Sequence, residues 1–195
     1  GLLGTQGQLT IDDTDQGQAN FTVQASHAGT YGTFTLAADG SWTYSADNTQ
    51  TAIQQLAAGE SLTDSFTAES SDGSASQIVT VTIAGTNDTP VITVGGGDSV
   101  SAGITETNAV ISASGTLSVT DVDTNDTVEA SVEAVAVAGS FAGTNPLDNA
   151  DLLAMLSLTT GAIGADAGDT QNLAWSFNSG SAAAFDFLPA GETLE

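Results

Sequence analysis

The chain has 195 residues, 40% of them hydrophobic, with 24 acidic residues, no Lys, no Arg and one His, for a formal net charge of −24 at pH 7. That balance excludes nucleic-acid binding, because no Lys or Arg exists to neutralise phosphates, and it disfavours anionic lipid surfaces. Cys is absent, so no disulfide staples the fold, and no apolar run approaches the roughly 20 residues needed to span a bilayer.

In chain order, short runs rich in Thr, Val and Ile alternate with Gly, Ser, Asn and Asp clusters: "GQLTI", "NFTVQA", "YGTFTLA", "GSWTYS", "SLTDSFTAE" and "QIVTVTIA". Their alternation predicts half-buried strands, and their regular spacing predicts an all-β sandwich. "TQTAIQQLAAG" at 49–59 reads as a helical turn between strands. "PVITV" opens a further strand at residue 90, and "NADLLAMLSL" at 149–158 reads as a short helix with Asn149 as its N-cap. No charged-then-apolar leader opens the chain, so an export signal is expected elsewhere in a longer protein.

Self-repulsion among so many like charges destabilises a compact state. No carboxylate can be neutralised by a Lys or Arg of the same chain, so external cations are expected to compensate.

The sequence also repeats itself. "GQLTIDDTD" at 7–15 matches "GTLSVTDVD" at 115–123, an offset of 115 − 7 = 108. "WTY" at 42 matches "WSF" at 175 (175 − 42 = 133), and "LAAGESL" at 56 matches "LPAGETL" at 188 (188 − 56 = 132). The second copy therefore carries about 25 extra residues (133 − 108), mostly between Val137 and Gln171. This divides the chain into a first module at 1–85 that lacks its opening strand, a linker at 86–90, and a second module at 91–195 with an expanded middle and no counterpart of the last strands. The expectation is a window from a tandem array, or a subunit completed by strands from a neighbour.

The stretches "GQLTIDDTD", "AGTYGTFTLAADGSWTYSADN", "LAAGESLTDSFTAESSDG" and "VTVTIAGTNDTPVI" resemble the VCBS repeat of giant secreted bacterial proteins, RTX-type adhesins among them. The seam "TNDTP" is similar to the Asp/Asn-rich linkers of cadherin-like domains. The resemblance implies tandem Ig-like or cadherin-like sandwiches on the bacterial cell surface, rigidified by Ca2+. It also implies export through a one-step channel, with folding delayed until calcium is met outside.

Calcium takes 6 to 8 oxygen ligands. The last strand of the first module puts Asp72 and Asp88 at opposite poles, and the "LAAGESL" corner brings Glu60 to the pole where the chain leaves. The resemblance assigns Asp121 and Asp123, after "GTLSV", to the same junction. The candidate cluster is thus Glu60, Asn87, Asp88, Asp121 and Asp123, with Glu106 or Asp126 in addition. Equivalent half-sites are Asp13, Asp15 and Asp72, with Glu192 at the far end.

Plainer readings stand beside these. Asn-Asp-x-Pro is also a turn former, and Asp72-Gly73 is also a hairpin turn. "DVDTND" at 121–126 lacks the Gly at position six and the Glu at position twelve of an EF-hand. Trp42 and Trp175 recur at matched positions, as core anchors rather than sugar platforms. His27 reads as an exposed, inert loop residue. "GDSV" at 97–100 has no His partner, and the inventory fills no catalytic roles, so the expectation is a non-enzyme. Two functions remain: a calcium-stiffened spacer of a surface adhesin or biofilm matrix protein, or a fibre subunit completed by strand donation. The partners are then neighbouring repeats or identical subunits, with no nucleic acid and no membrane insertion.

Overall fold

Alternation of apolar and hydroxyl side chains decides the first half of the chain, where every second residue of a strand faces a core. In β4 (Ser41–Asp47) Tyr44 and Ala46 are buried while Thr43 and Ser45 face out. β3 (Gly32–Leu36) buries Phe34 and Leu36 beside them. With β1 (Leu2–Gln8) and β2 (Gln24–Ala28) they form an antiparallel sheet in the order β1-β4-β3-β2. The run expected to start at Gly7 is in fact paired from Leu2 and ends at Gln8.

A second sheet covers that face. β5 (Ser61–Glu69) and β6 (Ser76–Ala84) pair antiparallel from Ser61↔Ala84 to Glu69↔Ser76. Phe66, Ala68, Val79, Val81 and Ile83 point inward and join Phe34, Leu36 and Tyr44 in one core. The rings of Phe34 and Phe66 have centroids 4.8 Å apart, and those of Phe34 and Tyr44 lie 4.5 Å apart. Ile53 of the helical turn α1 (Thr51–Gln54) and Leu56 after it complete the cluster. This is the expected β-sandwich.

The computed structural model describes residues 1–15 and 17–195 and divides the chain into two units, Gly1–Asp88 and Thr89–Glu195. The second unit is all-β with one short helix. β7 (Val91–Thr93), β8 (Ser112–Thr120), β10 (Leu156–Leu158) and β12 (Leu173–Asn178) form a sheet in the order β10-β12-β8-β7. β9 (Thr127–Val128) and β11 (Ile163–Gly164) pair separately. The helix α2 (Asn149–Ala154) starts one residue earlier than expected in its capping. Asp148, not Asn149, is the N-cap, because its carboxylate accepts from the amides of Ala150 and Asp151 while Asp151 reaches back to the Asp148 amide.

The internal repeat holds at the level of register. Gly7 lies opposite Trp42 across β1–β4, and Gly115 lies opposite Trp175 across β8–β12. In each case the missing side chain makes room for the indole, since a Cβ would come within 2.6 Å of the Trp42 ring or 2.7 Å of the Trp175 ring. The two corners match as well. Glu60 N–H donates to the Ala57 carbonyl at 3.1 Å with Gly59 at φ 89°, and Glu192 N–H donates to the Pro189 carbonyl at 3.1 Å with Gly191 at φ 87°. β8, β10 and β12 are therefore the counterparts of β1, β3 and β4.

Candidate functional site

The loop after β8 carries two carboxylates out of water. Asp121 and Asp123 are 5% and 1% exposed, although acidic residues seldom sit inside a protein without a partner of opposite charge. The local geometry follows from the Asp-x-Asp spacing: Asp121 Oδ1 accepts from the Asp123 amide at 3.1 Å, an Asx turn. The Asp121 amide donates to the Ala165 carbonyl just past β11, and Asp126 N–H donates to the Asp123 carbonyl at 3.1 Å. The expanded middle of the second unit, which includes β11 and buried Ala165, thus reaches the acidic loop.

The same turn occurs at the matched position of the first unit, where Asp13 Oδ1 accepts from the Asp15 amide at 2.8 Å. Here the loop is open, Asp13 half-buried and Asp15 exposed. One motif with one local geometry therefore stands in two environments, solvated in the first copy and desolvated in the second.

The remaining predicted ligands spread along each unit. Glu60 is half-buried and its Oε2 accepts from the Ala57 amide at 3.1 Å. Asn87 and Asp88 are exposed, and the Asn87 amide donates to the Asp88 carbonyl. Asp126 is half-buried. Glu106 is half-buried, and no hydrogen-bond donor reaches its Oε1 among the described residues. Glu192 is half-buried at its corner. Asp72 holds its own turn: Oδ1 accepts from Ser70 Oγ at 2.7 Å, Ser74 N at 3.0 Å and Ser74 Oγ at 2.9 Å, and these bonds bring its pKa down to about 2. Among the described residues, neither unit gathers three His, Asp or Glu side chains into a ready metal cage. Asp121 and Asp123 fit a hard divalent cation in kind, as carboxylate oxygen donors two residues apart, and would supply part of the 6 to 8 ligands calcium takes.

Two acidic residues escaped the sequence reading. Asp64 is 5% exposed and accepts from the amides of Thr30 (2.9 Å), Tyr31 (2.9 Å), Gly32 (3.1 Å) and Ser65 (3.1 Å) and from the Tyr44 hydroxyl (3.2 Å). Burial alone would raise its pKa, but the amides of Tyr31, Thr30 and Gly32 and the Tyr44 hydroxyl outweigh it and the net shift is down. Burial first, and the neighbouring Asp64 charge second, push the Tyr44 hydroxyl up to about 12. The signal lay in the alternation of "SLTDSFTAE", where Asp64 is in phase with Leu62, Phe66 and Ala68. Asp98 of "GDSV" has a comparable task. It accepts from Ser118 Oγ (2.6 Å), the Gly95 amide (2.8 Å) and Thr116 Oγ1 (3.0 Å), which makes it a loop clamp.

The matched tryptophans are half-buried. Trp42 packs against the first core and Trp175 donates its indole N–H to the Ser99 carbonyl at 2.7 Å. His27 is exposed, with its ring centroid 6.3 Å from that of Phe66.

Residues 1–85 match the family model of the bacterial cadherin-like domain. Over that span the first unit is similar to a cadherin-like module. No curated protein matches the chain. Cadherin-like domains serve as adhesion or structural repeats, are typically extracellular and generally bind calcium. No helix among the described residues is long and apolar enough to cross a membrane. The Asp13–Asp15 loop lies within the matched residues, and the Asp121–Asp123 loop lies outside them.

Proposed function

We propose that the chain is an extracellular spacer of a bacterial adhesin or biofilm matrix protein, with cadherin-like modules stiffened by calcium at their acidic loops. The observation that carries this reading is the burial of Asp121 and Asp123 in a chain with no Lys or Arg. Desolvating a carboxylate costs several kcal/mol, and a cation of opposite charge offsets that cost. A divalent ion held by both carboxylates turns a repulsive loop into a cross-link and fixes the strand end that carries it. Within the first module Glu60, Asn87 and Asp88 are candidate ligands, and within the second Asp126 and Glu106 are further candidate donors. Asp13 and Asp15 are the corresponding pair for an ion at the first module's other acidic loop.

Isothermal titration of calcium into the full chain tests this. The reading requires saturable binding at millimolar affinity or better that weakens when Asp121→Asn and Asp123→Asn are combined. Absence of binding, or binding indifferent to both changes, would overturn it.

A further inference from the structure

The first unit leaves a long sheet edge bare. β6 has β5 on one side and, among the described residues, no strand on the other. Just past the two ends of that pair, Ser70 N–H donates to the Ala75 carbonyl at 2.8 Å and Gly85 N–H donates to the Glu60 carbonyl at 2.9 Å. Hydrogen-bonded and non-hydrogen-bonded pairs alternate along an antiparallel ladder. Gln77, Val79, Val81 and Ile83 therefore bond to β5, and the backbone groups of Ser76, Ile78, Thr80, Thr82 and Ala84 point away from it. Among the described residues none of those five amides meets an acceptor. Of their carbonyls only that of Ile78 is engaged, by the Gln77 side-chain amide at 2.9 Å. All five residues are exposed, Ile78 at 62%. A bare edge is a template for another strand, and proteins blunt such edges with charge, Pro or bulges. The register of β2 shifts between Gln24 and His27, and β1 carries Gly4 and Gly7, which weaken a strand. β6 has none of these devices, and its centre at 78–83 is an unbroken run of Ile, Val and Thr.

We propose that β6 is a self-association edge, on which a second copy of this chain pairs its own β6 antiparallel about a two-fold axis at Thr80. The register picks the partner. The five outward positions are symmetric about residue 80, so Ser76 meets Ala84, Ile78 meets Thr82 and Thr80 meets Thr80 of the second copy. Each free amide of one copy then faces an outward carbonyl of the other, with the Ile78 carbonyl exchanging its side-chain donor for a backbone one. On the core side Val79 and Val81 come opposite each other, so the two inner faces join. Charge selects the same place. β4 and β5 carry Asp47, Asp64 and Glu69, whereas β6 has no ionisable side chain, so the paired stretch sets no carboxylate opposite another. Elsewhere each copy repels the other through its net charge of −24, and salt screens that repulsion. Dimerisation therefore strengthens as salt is added, the reverse of what a basic strand on the same edge would do. This inference does not rest on calcium.

Sedimentation equilibrium of the full chain, with chelator present throughout, tests it. The expected result is a monomer–dimer equilibrium whose dimer fraction rises with sodium chloride. Thr80→Asp sets two carboxylates face to face in this register and should weaken the dimer about tenfold or more. Thr80 is exposed in the single chain, so the melting temperature of the variant should hardly move. A second measurement is independent of that variant. The chain has no Cys, so Thr80→Cys supplies a single thiol. Hydrogen-bonded partners across an antiparallel pair have Cα atoms about 5.5 Å apart, within reach of a disulfide, and mild oxidation should yield a covalent dimer. Thr5→Cys, exposed on the edge strand β1, should cross-link far more slowly. A chain that stays monomeric in high salt overturns the proposal. So does a dimer that Thr80→Asp leaves intact, equal cross-linking through Thr5→Cys, association that weakens as salt is added, or growth past the dimer into filaments.

Discussion

A buried carboxylate in a chain without Lys or Arg can be stabilised by dipoles alone, and Asp64 shows what that takes: four amides and the Tyr44 hydroxyl all aimed at one group. Asp64→Ala strips those donors of their acceptor and should destabilise the first unit by about 3 kcal/mol, read by denaturant unfolding. Gly29 is bound to the same arrangement, because a Cβ there would run into the carboxylate. The pH dependence follows from the direction of the shift. Asp64 is more acidic in the folded state than unfolded, so its contribution is complete above the ordinary carboxylate value and is lost as pH falls through the lowered folded value. Asp72 behaves alike over the window from 3.8 down to about 2. Acid titration of thermal stability should therefore show the first unit weakening below about pH 4, the range where free carboxylates protonate. In Asp64→Asn that slope should be shallower. An identical acid slope in Asp64→Asn would contradict this account.

Among elements, legibility tracked periodicity. β5 was readable from residue 61 to 69 because Leu62, Asp64, Phe66 and Ala68 alternate strictly with Thr, Ser and Glu, and α1 because a short apolar run sits between polar turns. The pairing of Asp148 with Asp151 was missed because Asn149 also suits an N-cap, and only geometry separates the two. Residues 129–148 could not be read as regular elements, and they contain neither helix nor strand. The repeat was legible as letters, but its meaning was not. That Gly7 and Gly115 are kept small so that an indole can lie across a neighbouring strand needs the register. Gly115→Val should push Trp175 off β8, costing roughly 1–3 kcal/mol by overpacking and red-shifting its emission. Phe66→Ala, which empties the centre of the first core, should cost about 3–5 kcal/mol in chemical denaturation. Of the candidate ligands, composition and spacing indicated the Asp-x-Asp loops. Their contrasting burial was not legible, since what reaches Asp121 is the Ala165 segment more than 40 residues away (165 − 121 = 44).

For the molecule as a whole, the net charge of −24 is the constraint every other feature answers to. Local dipoles take care of Asp64, Asp72 and Asp98, each bound to hydroxyls or amides. On the proposed reading a shared cation acts at the acidic loops, and a calcium-dependent spacer joins this to the likeness of the first unit to a cadherin-like module. Salt should therefore stabilise the chain less effectively than calcium at equal ionic strength, because screening acts on exposed charges and leaves a desolvated pair largely untouched. The most direct measurement is thermal unfolding of the full chain carrying Trp42→Phe, followed through Trp175 with chelator and with saturating calcium. At calcium about 100-fold above its dissociation constant the gain should be about 2.7 kcal/mol, a rise of roughly 10 °C for a unit of this size. Asp121→Asn with Asp123→Asn should abolish it. A melting temperature that is the same in chelator and in calcium would contradict the account.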